Sequence, residues 1–226
     1  MHDWKNVKII IFDLDGTLID SVAGTMKAYI YAFTRMNIEP PPEKDIRTLL
    51  VYGLMSVFSK YINEGRLDEA VGFYREYYRT KSIFEAVPYD GITEALAALK
   101  FAGKTLLIAT MKQRDLAEEQ VNYCLGKFFE AVYGIVPEAR IDRKQDIISL
   151  ILKEHGLSAC DAVMVGDRHN DVTSASTNGV ASIGVLWGYG SETELRGAGA
   201  LAIAQQPCNL IDLILDNENS SVNVGP

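Results

Sequence analysis

Short apolar runs that give way to polar residues recur along the chain: Val7–Phe12, Thr105–Ala109, Ala162–Val165 and Ala181–Leu186. Continuous runs of this kind suit strands buried on both faces, whereas a strand with a solvent face would alternate. Between the later runs lie helix-like segments. Ile92–Phe101 starts after a glycine and ends before Gly103; Arg114–Leu125 and Gln145–His155 space their apolar residues three and four apart; Asp171–Asn178 is short and closes on Gly179. Strands alternating with helices require right-handed crossovers, so the expected fold is α/β, a doubly wound parallel sheet with a Rossmann-like core.

Residues 21–87 break this rhythm with three long helical patterns, Val22–Met36, Ile46–Ile62 and Leu67–Ile83, and no convincing strand. An all-helical insertion is expected there. Pro40-Pro41-Pro42 would turn between its first two helices, and Pro88-Tyr89-Asp90-Gly91 would mark the return. The expected organisation is a core from residues 1–20 and 88–215, the helical insertion at 21–87, and a polar aperiodic tail at 216–226.

In an open parallel sheet, ligands bind beyond the carboxyl ends of the strands. After the first strand come Asp13 and Asp15; after the second, Thr110, Met111 and Lys112; after the third, Gly166, Asp167 and Asp171, with Lys144 ahead of the helix leading to that strand. Converging carboxylates repel and are costly to bury unless a cation sits among them. A hard divalent ion with oxygen ligands resolves the conflict, and Mg²⁺ fits because it needs few protein ligands. A lysine and a hydroxyl beside it suit the oxygens of a phosphoryl group.

Charge narrows the partner. Lys and Arg number 22 against 30 Asp and Glu, a net charge of −8, which argues against a nucleic acid polymer or an anionic membrane surface. A small phosphorylated metabolite remains admissible, since it needs only local positive charge. Cys124, Cys160 and Cys208 show no CxxC spacing, the N-terminal apolar stretch is too short for a signal peptide, and no run approaches the roughly 18 apolar residues of a membrane helix. A cytoplasmic location is expected, as a monomer or homodimer.

"FDLDGTLID", "IAT", the lysine of "IDRKQDII" and "VMVGDRHND" resemble, in order and spacing, the four motifs of the haloacid dehalogenase superfamily, over roughly residues 7 to 212. With "GVLWGYGSETELRGAGA", the chain is most similar to phosphoglycolate-phosphatase-like members with a helical cap. The resemblance implies that Asp13 is a nucleophile forming an aspartyl-phosphate and a Mg²⁺ ligand, and that Asp15 protonates the leaving oxygen, then deprotonates the attacking water. The Asp15 carbonyl and Asp167 would complete the metal set. Asp171 would stand one step behind it, orienting a metal-bound water or Lys144. Thr110 would bond a phosphoryl oxygen, and Lys144 would neutralise charge on that group and on Asp13. Gly16 would let the chain turn so that the N–H groups of Leu14 and Asp15 face the phosphate.

Met111 departs from the pattern, because the family frequently has an asparagine there whose amide touches phosphate; only the Met111 backbone N–H could serve. Arg47, Tyr52 and Gly53 of the cap could face the substrate. His169 is expected as an exposed loop residue, since Mg²⁺ prefers oxygen. Phe73, Tyr74, Tyr77 and Tyr78 are expected as core or partner surface, and Trp187 and Tyr189 near the rim of the site.

Asp15 points to phosphoester chemistry, because superfamily dehalogenases and phosphonatases carry other residues at that position. A sugar phosphomutase would carry an arginine shortly after the cap's first substrate-loop glycine, and here Leu54, Met55 and Ser56 follow Gly53. A Mg²⁺-dependent phosphatase, phosphoglycolate phosphatase-like or 5'-nucleotidase-like, is therefore the expected function. The alternatives are that mutase and a catalytically inactive phosphate-ligand-binding or scaffold protein.

Overall fold

The computed structural model describes residues 4–50 and 53–215. Two compact units divide the chain, one built from the segments up to Asp20 and from Pro88 onward, the other from Ser21–Val87. In chain order the elements are β1 (Ile9–Phe12), β2 (Ile19–Asp20), α1 (Val22–Arg35), α2 (Glu43–Leu50), α3 (Leu54–Tyr61), α4 (Leu67–Thr80) and β3 (Val87–Pro88). There follow α5 (Ile92–Phe101), β4 (Thr105–Gln113), α6 (Arg114–Cys124), β5 (Ala131–Ile135), α7 (Lys144–Glu154), β6 (Ala162–Gly166), α8 (His169–Thr177), β7 (Ala181–Val185), α9 (Glu192–Ala198), β8 (Ala202–Ala204) and α10 (Cys208–Leu215).

The first unit carries a six-stranded sheet in the order β5-β4-β1-β6-β7-β8, with every pairing parallel. β1 and β6 are buried along their whole length, as their unbroken apolar sequences require. On one face α7 buries Ile147, Ile148 and Ile151 against Leu107 and Met164, each such side chain contributing roughly 1.5–3 kcal/mol. From β1 the chain goes outward to β4 and β5, then crosses to β6, β7 and β8 on the other side. The strand order reverses at β1, so the carboxyl end of β1 lies at the crevice where doubly wound sheets bind ligands. Phe12 lies beside Ile108 on β4 and Val165 on β6, which brings the residues just past all three to one edge.

Two strands of the six-stranded sheet, β5 and β8, lie outside the sequence expectation, as do the two-residue β2 and β3. β5 is interrupted at its fourth residue by Gly134, where any Cβ would stand 2.6 Å from the Lys112 carbonyl oxygen, so close packing of β4 excludes a side chain there and cuts the apolar run short. β8 has only three residues at the sheet edge. The second strand is also longer than Thr105–Ala109: it continues through Thr110, Met111 and Lys112 to Gln113, with a register shift against β5 after Ala109.

The second unit is helical, with α1 packed along α4. Its centre is aromatic: Tyr29 lies 5.1 Å from Phe58 and 4.8 Å from Tyr74, and Phe33 lies 5.6 Å from Phe58. Tyr74 and Tyr78 stack in this core, Tyr77 packs on Tyr31, and Phe73 lies under the Arg35 guanidinium. The helix expected over Ile46–Ile62 is two, α2 and α3, because Gly53 takes φ 94°, outside helical space. Tyr52 and the tail at 216–226 lie outside the described residues. Among the described residues, no helix is long and apolar enough to cross a membrane.

Candidate active site

The loop after β1 is a tight turn. The Leu14 carbonyl accepts N–H bonds from Leu18 at 2.9 Å and Ile19 at 3.1 Å, and Gly16 N–H donates to the Ile19 carbonyl. Gly16 takes φ 86°, and a Cβ there would lie 2.5 Å from Asp167 Oδ2, so the turn and the approach to Asp167 both require glycine. Closed in this way, the loop holds Asp13 at the strand end.

Asp13 Oδ1 accepts from Lys144 Nζ at 2.8 Å and from the Leu14 N–H at 2.8 Å. The Leu14 N–H, expected to face a phosphate, is thus engaged by the neighbouring carboxylate, the nearest anion to it. Lys144 is the first residue of α7, where a cation opposes the helix dipole. Its ammonium is buried and also bonds Asp171 Oδ1, and those two carboxylates offset the local cost. Asp171, in the first turn of α8, accepts the Arg168 N–H on Oδ2 at 2.9 Å, as an acid near a helix N-terminus does. Asp167, fully buried just past β6, accepts Thr17 Oγ1–H on Oδ1 at 3.0 Å and the Tyr189 N–H on Oδ2 at 2.9 Å. Trp187 Nε1–H donates to the Thr17 carbonyl at 2.8 Å, tying the segment after β7 to the same turn.

The electrostatics of this cluster show an excess of negative charge. Burial first, then repulsion from Asp171, pushes Asp167 up to about 6. Burial likewise raises Asp13 well above the usual carboxylate range, against the pull of Lys144 and with the push of Asp171 and Asp167. Burial by itself would lower Lys144, but Asp13 and Asp171 outweigh it and hold the ammonium above its ordinary value. Burial is thus compounded by crowding: three neighbouring carboxylates have one ammonium beside them, and it pairs with two. Oxygens of Asp13, Asp167 and Asp171 lie within 4.8 Å of one another. A hard divalent cation among oxygen donors relieves that excess, so the residues present fit Mg²⁺.

Asp15 faces elsewhere. Lys112 Nζ lies 2.9 Å from both of its oxygens and also donates to Gln120 Oε1. Thr110 is buried, and its Oγ1 accepts the Lys112 backbone N–H at 3.3 Å. Met111 is 38% exposed on the same strand. Arg143, beside Lys144 in sequence, turns outward to Asp146, which leaves the buried position to Lys144. His169 is exposed in the first turn of α8 rather than in a loop, against Glu194. Arg47 and Gly53 belong to the second unit, exposed on α2 and just before α3.

Thr17, Gln120 and the Tyr189 N–H were not foreseen as site residues. Thr17 alone carried a signal, its place directly after Asp15-Gly16. Lys112 was visible as a basic residue near the second strand end, but nothing in the sequence pairs it with Asp15.

The sequence profile of the haloacid dehalogenase-like hydrolases matches residues 10–185. A 5'-nucleotidase of Pseudomonas aeruginosa is 38% identical over 83% of this chain and 86% of its own length. A phosphoglycolate phosphatase of Neisseria gonorrhoeae is 31% identical over 84% of this chain and 85% of its own. A solved haloacid dehalogenase-like hydrolase from Streptococcus pneumoniae superposes with a TM-score of 0.85 at 31% identity, covering 92% of this chain and 98% of that one.

Proposed function

The chain belongs to the haloacid dehalogenase-like hydrolase family and is, with its relatives, a phosphoric monoester hydrolase; from that premise we propose that it is a Mg²⁺-dependent phosphatase working through an aspartyl-phosphate on Asp13. The observation that carries the reading is the grouping of Asp13, Asp167 and Asp171, with Lys144 between Asp13 and Asp171 and Asp15 held on a separate cation.

A carboxylate oxygen of Asp13 attacks phosphorus, and the bond from phosphorus to the leaving oxygen breaks as Asp15 supplies a proton to that oxygen. Water then attacks the aspartyl-phosphate and gives its proton to Asp15, and the bond from phosphorus to Asp13 breaks, restoring both acids. Lys144 and the Leu14 N–H fix the Asp13 carboxylate through Oδ1. Asp171, bonded on both oxygens, orients Lys144. Thr110, Gly16 and the Met111 N–H line the phosphoryl position. Asp13, Asp167 and the Asp15 carbonyl would hold Mg²⁺, which when bound neutralises the crowded carboxylates and the phosphoryl oxygens.

We assign Ser21–Val87 as the helical cap, with Arg47 and Gly53 as its substrate-facing residues. The substrate class is a small phosphomonoester of the kind its relatives' names indicate, a nucleoside monophosphate or phosphoglycolate. Cys124, Cys160 and Cys208 form no disulfide, which supports work in the cytoplasm. The test is phosphate release from p-nitrophenyl phosphate, then from a panel of metabolite phosphates, with and without EDTA. Turnover is expected only with metal and is expected to fall at least about a hundredfold in Asp13→Asn. Metal-independent release, or an unimpaired variant, sinks the mechanism.

A further inference from the structure

Lys112 takes no part in the steps above, yet it is the cation that Asp15 meets. Its side chain is 8% exposed, against 29% for Asp15. The ammonium reaches both Asp15 oxygens at 2.9 Å and donates a further bond to Gln120 Oε1. Gln120 is fully buried on α6, and the Lys112 backbone is tied to Thr110 on β4. An ammonium withdrawn from water needs such partners, and a side-chain amide locked in the interior holds it in place. Asp15, by contrast, sits in the loop after β1 with 29% of its side chain open to solvent, so it is the less enclosed member of the pair. The fixed member of the pair is Lys112.

We infer that Lys112, anchored by Gln120, is a positioning residue that fixes the Asp15 carboxyl for its two proton transfers. The inference rests on the acid–base reading of Asp15 proposed above. It gives the two lysines separate duties: Lys144 serves the nucleophile, and Lys112 serves the acid–base group. A lysine acting through Asp15 matters only where Asp15 matters. It matters most when the leaving oxygen needs a proton, as in an alkyl phosphate, and least for p-nitrophenyl phosphate, whose phenolate departs without one.

The test compares kcat/KM for ethyl phosphate and p-nitrophenyl phosphate in wild type, Lys112→Met, Asp15→Asn and the double variant. Lys112→Met is expected to lower the ethyl phosphate value about tenfold or more and the p-nitrophenyl value less than about threefold, and to cost nothing further on the Asp15→Asn background. Equal losses on the two substrates, which a phosphate-binding or purely structural lysine would give, overturn the inference; so does an additive loss in the double variant. If Asp15→Asn keeps full turnover of ethyl phosphate, the acid–base reading falls and takes this inference with it. If Asp15→Asn loses turnover while Lys112→Met is blind to the leaving group, this inference falls alone. Should Lys112→Met fail to fold, Gln120→Leu leaves the ammonium present but unanchored. A smaller loss with the same leaving-group selectivity is then expected, and its absence overturns the inference.

Discussion

Replacing Asp167 by asparagine is expected to stabilise the metal-free protein while abolishing its stabilisation by Mg²⁺. Burial and the neighbouring Asp171 push Asp167 from an ordinary 3.8 up to about 6. At about 1.4 kcal/mol per unit, that shift corresponds to a charge penalty of about 3 kcal/mol at neutral pH. The folded state binds this proton more tightly than the unfolded state. Between about pH 4 and pH 6 it therefore holds the greater share of protons, and wild-type stability falls as pH rises through that window and stays low above it. Asparagine has no charge to bury and nearly the same shape. Its carbonyl can accept the Tyr189 N–H and its amide can donate to Thr17 Oγ1, so both buried contacts of Asp167 persist.

The gain is read by thermal denaturation in EDTA. For a chain of this length about 2 to 3 kcal/mol corresponds to a rise of roughly 4 to 12 °C in Tm. At about pH 8 the variant is expected to melt above wild type by that margin, and the two curves are expected to converge towards about pH 4, where wild-type Asp167 is protonated. Saturating Mg²⁺ should raise wild type and leave the variant unmoved. A variant that melts at or below wild type at pH 8 in EDTA would refute the reasoning, because the cluster would then carry no excess charge for a cation to relieve.

Gly16→Ala forces a side chain into positive φ and against Asp167 Oδ2, so turnover is expected to need a higher Mg²⁺ concentration, measured by metal titration; unchanged half-saturation would show that the turn tolerates the methyl group. Lys144→Met leaves Asp13 and Asp171 without their shared ammonium and is expected to cost about 3–5 kcal/mol in metal-free denaturant unfolding, partly recovered with Mg²⁺. Burial would raise Glu194, but the His169 N–H, Arg168 and the His169 ring outweigh it and hold it at about 2. Its contribution is present above its ordinary value of 4.5 and is lost as pH falls towards 2, so Glu194→Gln should flatten acid unfolding followed by circular dichroism over that window.

What the sequence made legible was set by burial. β1 and β6 are apolar throughout because both faces are covered, and such runs are visible without any knowledge of neighbours. β5 and β8 stand at the sheet edges with short apolar runs, residues 131–133 broken by Gly134 and the three residues of β8, so neither stands out as the longer central runs do. In the second unit the apolar spacing runs through both α2 and α3, and only the backbone angle at Gly53 reveals the break.

Within the site, the same distinction separates type from partner. Asp13 and Asp15 are the same residue two positions apart, and nothing local tells them apart. Their difference comes from two lysines far along the chain, one recognisable beforehand as a basic residue just past a strand and the other as one ahead of a helix. Lys144 is delivered by the first turn of α7 and buried between Asp13 and Asp171. Lys112 lies where β4 continues past Ala109, in the stretch of shifted register against β5, and from there its ammonium reaches Asp15. A register shift changes backbone pairing without changing composition, so no count of charges could assign the lysines. The two acids are thus told apart by their surroundings in the fold: one carboxylate is buried where negative charge is in excess, and the other is held at a single ammonium, partly open to solvent.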